Sequence, residues 1–178
     1  SLFSDCQIVD SYKNFQKNSD LLIVPGNGNF GYAMDIIKKK KLFDKILDFN
    51  QKNKKIFGIC LGAQILFEES EESPETKGLQ ILKGKVLKIK SNEIKLPLLG
   101  WYTINNSNKK NIGSFYFNNW FYCKPNNKRI TKFKINFKSL TVPAMLHSKN
   151  LWAFQFHPEK SSHNGFKLIK KIINEKEI

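Results

Sequence analysis

The chain has 178 residues, 40% of them hydrophobic and 25% charged, which suits one domain with a real core and excludes a disordered composition. Its formal net charge of +15 comes almost wholly from scattered lysines, with one arginine, Arg129, so a solvated basic surface is expected and no specific nucleic-acid module. No apolar run approaches the roughly 20 residues of a membrane span, and three cysteines (Cys6, Cys60, Cys123) without paired or metal-like spacing argue against a disulfide framework or a metal site and suit a cytoplasmic protein.

In chain order, residues 7–9 predict a short strand and residues 10–20 a weak helix. Residues 21–24 (Leu-Leu-Ile-Val) predict a second strand, closed by Pro25. Ser1 falls in what reads as the middle of a unit, so an N-terminal βα unit is expected to be missing ahead of it. Residues 31–40 and 42–51 read as helical and form a long crossover into the apolar pair Ile56-Phe57. Strand, helix and strand in alternation predict an α/β domain with a parallel sheet. Beyond Gly84 the texture changes to short β-rich runs at 85–90, 115–117, 121–123, 130–133, 141–145 and 151–156, split by Asn- and Lys-rich turns. An amphipathic helix over 165–174 follows. No repeat or linker divides the chain, so residues 1–178 are read as a single domain.

Gly26-Asn27-Gly28-Asn29-Phe30-Gly31 follows a strand and precedes a helix, as a dinucleotide-binding loop does. Such a site also needs an acid at the end of the next strand, where this chain has Cys60. The glycines suit instead a loop whose backbone amides face an anion. The next strand runs into Gly58-Ile59-Cys60-Leu61-Gly62 and then into an apolar stretch, 63–67, that reads as helix. A strand ending in Gly-x-Cys-x-Gly before a helix is the thiol form of the nucleophile elbow. The turn there is sharp, so the residues two before and two after the nucleophile must be small. A buried structural cysteine is the alternative, because free cysteine is among the most buried residue types.

Three histidines are candidates for a base. His147 is expected at an exposed hairpin tip and His163 in a polar surface stretch. His157 ends the run 151–156 and is followed by Pro158-Glu159. In extended chain His157 and Glu159 share one side, so the carboxylate can hold one imidazole nitrogen and leave the other for a thiol, which is triad logic.

Taken together, Gly58-Ile59-Cys60-Leu61-Gly62-Ala63-Gln64 and Phe156-His157-Pro158-Glu159-Lys160-Ser161 resemble the class I (triad-type) glutamine amidotransferases. The stretches 25–31, 60–84, 97–101 and 115–117 are similar in particular to the glutaminase subunits of imidazole glycerol phosphate synthase and their paralogues. The resemblance implies a flavodoxin-like α/β fold, with a mostly parallel central sheet flanked by helices and an antiparallel β-rich part in the C-terminal half. It implies hydrolysis of L-glutamine to glutamate and ammonia without a metal or organic cofactor. The ammonia would pass to a (β/α)8 cyclase-type partner in a heterodimer, in histidine biosynthesis or in a paralogous surface-sugar system. By position it implies Cys60, His157 and Glu159 as the triad, with Gly26, Asn27, Gly28 and Leu61 around the oxyanion. Gln64, Glu72 and Asn119 would contact glutamine, and Lys160 and Trp101 would face the partner. Asn27 replaces a usual small apolar residue, and Phe117-Asn118-Asn119-Trp120-Phe121 stands where the family has Phe-Val-His-Ser-Tyr. A catalytically impaired scaffold subunit and a cysteine hydrolase on a related fold are the other readings.

Overall fold

A computed structural model describes residues 5–16, 18–106, 108 and 110–174. The parallel part of its main sheet is three strands: β1 (Leu21–Val24), β2 (Lys55–Ile59) and β10 (Leu151–Phe154), with β2 in the centre. Between β1 and β2 lie α1 (Phe30–Lys39) and α2 (Phe43–Gln51). In α1 the apolar residues Phe30, Met34 and Ile37 recur at helical spacing and are buried. Three side chains take its leading amides: Glu72 accepts from Phe30 N–H, Ser73 from Gly31 N–H, and Asn29 from Tyr32 N–H.

The antiparallel part extends the same sheet. Strands β5 (Leu98–Asn105), β6 (Asn111–Asn119), β8 (Thr131–Asn136) and β9 (Thr141–Ser148) complete the order β1-β2-β10-β9-β8-β5-β6. A small second sheet holds β3 (Glu69–Ser70), β4 (Gly84–Lys88) and β7 (Phe121–Pro125). Period-two alternation sends Ile56 and Ala153 into one core with α1 and α2, and Phe57 and Phe154 into the other with α4 (Ser162–Ile173). The α/β reading, with a parallel core and an antiparallel C-terminal half, is what the structure shows. No helix among the described residues is long and apolar enough to cross a membrane.

Several sequence expectations need correction. Residues 7–9 form no strand, and Ile8 is exposed. In place of a helix over 10–20 there is one 3-10 turn, Tyr12–Asn14. The helix expected over 63–67 is the single turn α3 (Leu61–Gln64). Beyond it the carbonyls of Ile65, Leu66 and Phe67 accept from Leu79, Leu82 and Gln80 of a returning segment. The sequence reading places no strand over 98–105, where Gly100, with φ 117°, interrupts the apolar run of β5. His147 lies within β9, stacked on Trp152 at 3.7 Å, and not at the hairpin tip. His163 is exposed as expected but belongs to the first turn of α4.

Candidate active site

The parallel strands point their carboxyl ends at one rim, and Cys60 stands there immediately after β2. Its backbone takes φ 54° and ψ −110°, a conformation few L-residues adopt. Neighbours hold it there: Cys60 N–H donates to the Phe154 carbonyl at 2.8 Å, and the Cys60 carbonyl accepts from Ala63 and Gln64. The glycines around it are sterically required. A Cβ on Gly58 would stand 2.8 Å from the Gly62 oxygen, and one on Gly62 would overlap the Val24 carbonyl oxygen.

Gly26 closes on the same turn, since a Cβ there would lie 2.8 Å from Leu61 Cβ and 2.9 Å from Gly62 N. The Leu61 amide, at the head of α3, has no hydrogen-bond partner among the described residues. Asn27 and Gly28 continue this loop on the surface, and Gly28 has φ 111°.

His157 reaches the rim from the neighbouring strand. Glu159 and Lys160 lie in a 3-10 turn, Pro158–Lys160, and not in the extended chain expected from sequence, because Lys160 N–H bonds back to the His157 carbonyl. The turn still brings Glu159 Oε1 to 2.7 Å from His157 Nδ1. With Nδ1 so engaged, Nε2 is the ring nitrogen left to interact with Cys60. That bond to Cys60, then the one to Glu159, push the imidazole pKa from 6.5 up to about 9, against the opposing effect of burial. Burial acts to raise the Glu159 carboxyl, but His157, the backbone and Lys160 outweigh it and hold the group below its ordinary value.

Two residues that sequence reasoning did not pick out fix His157. Tyr116 accepts the His157 N–H on its carbonyl at 2.9 Å. The fully buried Ser161 hydroxyl donates to the His157 carbonyl at 2.6 Å and accepts from Tyr116 N–H at 3.0 Å. Ser161 closes the same motif as His157 and Glu159, which is the one sequence signal that pointed to it. The other buried thiol, Cys123, is pushed well above its ordinary pKa by burial, then by the charge of Cys60, so it is poorly suited to be a nucleophile.

Gln64 is buried at the end of α3, and its Nε2 donates to the Phe121 carbonyl at 3.2 Å. Asn119 is buried beside the sulfur, its Nδ2 3.4 Å from Cys60 Sγ. Glu72 is half-buried, with one carboxylate oxygen on the Phe30 amide. A cavity of about 300 Å³ opens on the imidazole side, lined by Pro25, Gly26, Asn27, Ile59, His157, Glu159 and Lys160. Cys60, Gln64 and Glu72 lie outside that lining. Trp101 is exposed on β5 and meets Tyr116 edge to face, and the Lys160 ammonium sits 6.0 Å from the centre of the same ring. Among the described residues no cluster of His, Cys, Asp and Glu could hold a metal ion. A sulfur, an imidazole and a carboxylate beside a backbone amide with no partner among the described residues can carry out acyl transfer through a thioester.

Comparison with known proteins agrees on the kind of molecule. The family described as Glutamine amidotransferase class-I matches residues 3–174. Imidazole glycerol phosphate synthase subunit HisH 1 of Methanococcus maripaludis is 38% identical over 97% of this chain and 89% of its own. Subunit HisH of Pyrococcus furiosus is 36% identical over 88% of this chain and 82% of its own. A crystal structure of a glutamine amidotransferase superimposes with TM-score 0.71 at 17% identity, over 94% of this chain and 85% of that one, a likeness of fold.

Proposed function

This chain belongs to the class-I glutamine amidotransferases, and on that premise we propose that it is the glutaminase subunit of an imidazole glycerol phosphate synthase. It hydrolyses L-glutamine to glutamate and ammonia in the cytoplasm and passes the ammonia to a (β/α)8 cyclase partner in a heterodimer. The observation that carries this reading is the alignment of Cys60, His157 and Glu159 at one rim, with Glu159 Oε1 2.7 Å from His157 Nδ1.

In the reaction His157 Nε2 takes the proton of Cys60, and the sulfur attacks the side-chain carbonyl of glutamine. The carbonyl electron pair moves onto oxygen, where the Leu61 amide and one amide of the Gly26–Gly28 loop stabilise it. Each such donor is worth roughly 2.7–4 kcal/mol of barrier. The imidazolium then protonates the departing nitrogen, ammonia leaves, and His157 activates the water that splits the thioester. Glu159 orients the ring and stabilises its charge. Gln64, Glu72 and Asn119 hold the substrate glutamine. Lys160 and Trp101, which share contacts with Tyr116 beside the cavity, face the partner, so the cavity opens where ammonia must cross.

The relatives named HisH favour the imidazole glycerol phosphate synthase over a surface-sugar system. A scaffold that has lost activity is disfavoured, because the altered 118–120 segment keeps a hydrogen bond to the sulfur instead of dismantling the site. The test is glutamate release by the purified chain with and without its cyclase subunit, for wild type and Cys60→Ala. Turnover that rises with the partner and vanishes in Cys60→Ala is expected. Turnover in neither condition would establish the scaffold reading, and activity retained by Cys60→Ala would remove the thiol mechanism.

A further inference from the structure

Asn119 ends β6 with 3% of its surface exposed. Its Nδ2 donates to Cys60 Sγ at 3.4 Å, whereas its Oδ1 is buried and has no hydrogen-bond partner among the described residues. An amide oxygen left bare in the interior is a free-energy cost that folded proteins seldom retain without use. The planar carboxamide thus has one end fixed on the nucleophile and the other, an acceptor, unused beside it.

At that place the chemistry of the substrate narrows the choice. A substrate carbonyl oxygen, or the oxyanion it becomes, is itself an acceptor and finds nothing on Oδ1. The donors closest to the reacting carbon of a carboxamide are its own N–H groups. We propose that Asn119 is a specificity-determining residue: its Oδ1 accepts an N–H of the substrate carboxamide, the nitrogen that leaves as ammonia, while its Nδ2 holds the sulfur. This deepens, and rests on, the glutaminase reading above. When the Sγ–C bond has formed and the C–N bond breaks, the nitrogen needs its lone pair towards the proton on His157 Nε2. An N–H fixed on Asn119 turns the lone pair that way. An ester's leaving oxygen has no N–H to offer, so the same contact selects amides over esters.

The test compares kcat/KM for L-glutamine and for the γ-methyl ester of glutamate, measured on the complex with the cyclase subunit. Asn119→Leu keeps the volume but has no acceptor, and its amide-to-ester ratio is expected to fall by about tenfold or more. Asn119→Asp keeps an acceptor oxygen but loses the N–H on the sulfur, so both substrates slow and the ratio stays within about threefold of wild type. An unchanged ratio in Asn119→Leu would overturn the proposal, since a purely structural role slows both substrates alike. If Asn119→Leu shows no cooperative thermal transition, Asn119→Asp decides: a retained ratio supports the proposal and a tenfold fall overturns it. Wild type inactive on both substrates would remove the glutaminase reading itself, a result distinct from an unchanged ratio.

Discussion

Adding one methyl group at Gly58 tests the steric logic of the elbow. A Cβ there would stand 2.8 Å from the Gly62 oxygen, 2.8 Å from Leu66 Cδ1 and 2.9 Å from Ala63 Cα, where ordinary contact begins at 3.4 Å. Two of the three obstacles are backbone. β2 is paired on both sides, by β1 and β10, so α3 is the part that must give, by about 0.6 Å. Overpacking of this kind costs about 1–3 kcal/mol of stability. Because α3 carries the Leu61 amide, displacing it costs up to about 100-fold in turnover. Urea unfolding and glutamate release with the cyclase subunit measure the two effects. Gly100→Ala is the control: nothing lies within 4 Å of its Cβ, and its φ of 117° makes the cost backbone strain on β5, away from the sulfur. Gly58→Ala that unfolds at the wild-type urea midpoint and turns over within about twofold of wild type would refute the argument that the flanking residues must be small.

Raised to about 9, the His157 pKa makes a charge-dependent contribution to stability that is complete below pH 6.5 and is lost as pH rises through about 9. The melting temperature is therefore expected to decline across that window in wild type and less in Cys60→Ala, which lacks the larger of the two causes. NMR titration of the His157 ring checks the origin directly: a wild-type midpoint near 6.5 would end this account. Ser161→Ala removes the hydroxyl that bridges Tyr116 and His157. It should cost about 1–3 kcal/mol of stability by leaving the Tyr116 N–H without its partner, while the His157 carbonyl still accepts from Lys160 N–H. It should also lower kcat with KM nearly unchanged, and a change in KM alone would show that His157 is held in place without it.

The parts of this molecule legible in its sequence are those whose demands are local. Gly58 and Gly62 are dictated by a turn five residues long, and His157 and Glu159 meet across a single intervening proline, so spacing alone carried the reading. Even so, the pair meets through a 3-10 turn and not along a strand, since the hydrogen bond from Lys160 N–H to the His157 carbonyl exerts itself only in three dimensions. Features set by remote chain stayed hidden. α3 stops after one turn, and the carbonyls of the residues that follow it pair with the remote residues 79–82. His147 belongs to β9 because Trp152 stacks on it across the ladder. The bond from Asn119 to the sulfur joins positions 59 residues apart, and no local pattern announces it.

The shortness of α3 changes how charge at the sulfur must be handled. A long helix would lend the partial positive charge of its N-terminus. Here the helix has four residues, and two of its amides, Ala63 and Gln64, already bond to the Cys60 carbonyl. The aligned dipoles that remain are few. Positive charge next to the sulfur comes instead from the His157 imidazole, held protonated to about pH 9, with the Asn119 N–H as a second donor to Sγ. The Leu61 amide, which has no hydrogen-bond partner among the described residues, is in the proposed mechanism left for the oxyanion and not for the nucleophile. In the proposed mechanism, stabilisation of the two negative charges that form in turn, on sulfur and then on oxygen, is thus divided between groups from different strands. Pairing of β10 with β2 places one set, and closure of the Gly26 loop on Leu61 places the other. A change that spares the strand pairing but opens that loop should therefore impair formation of the tetrahedral intermediate while leaving the imidazole's titration in place.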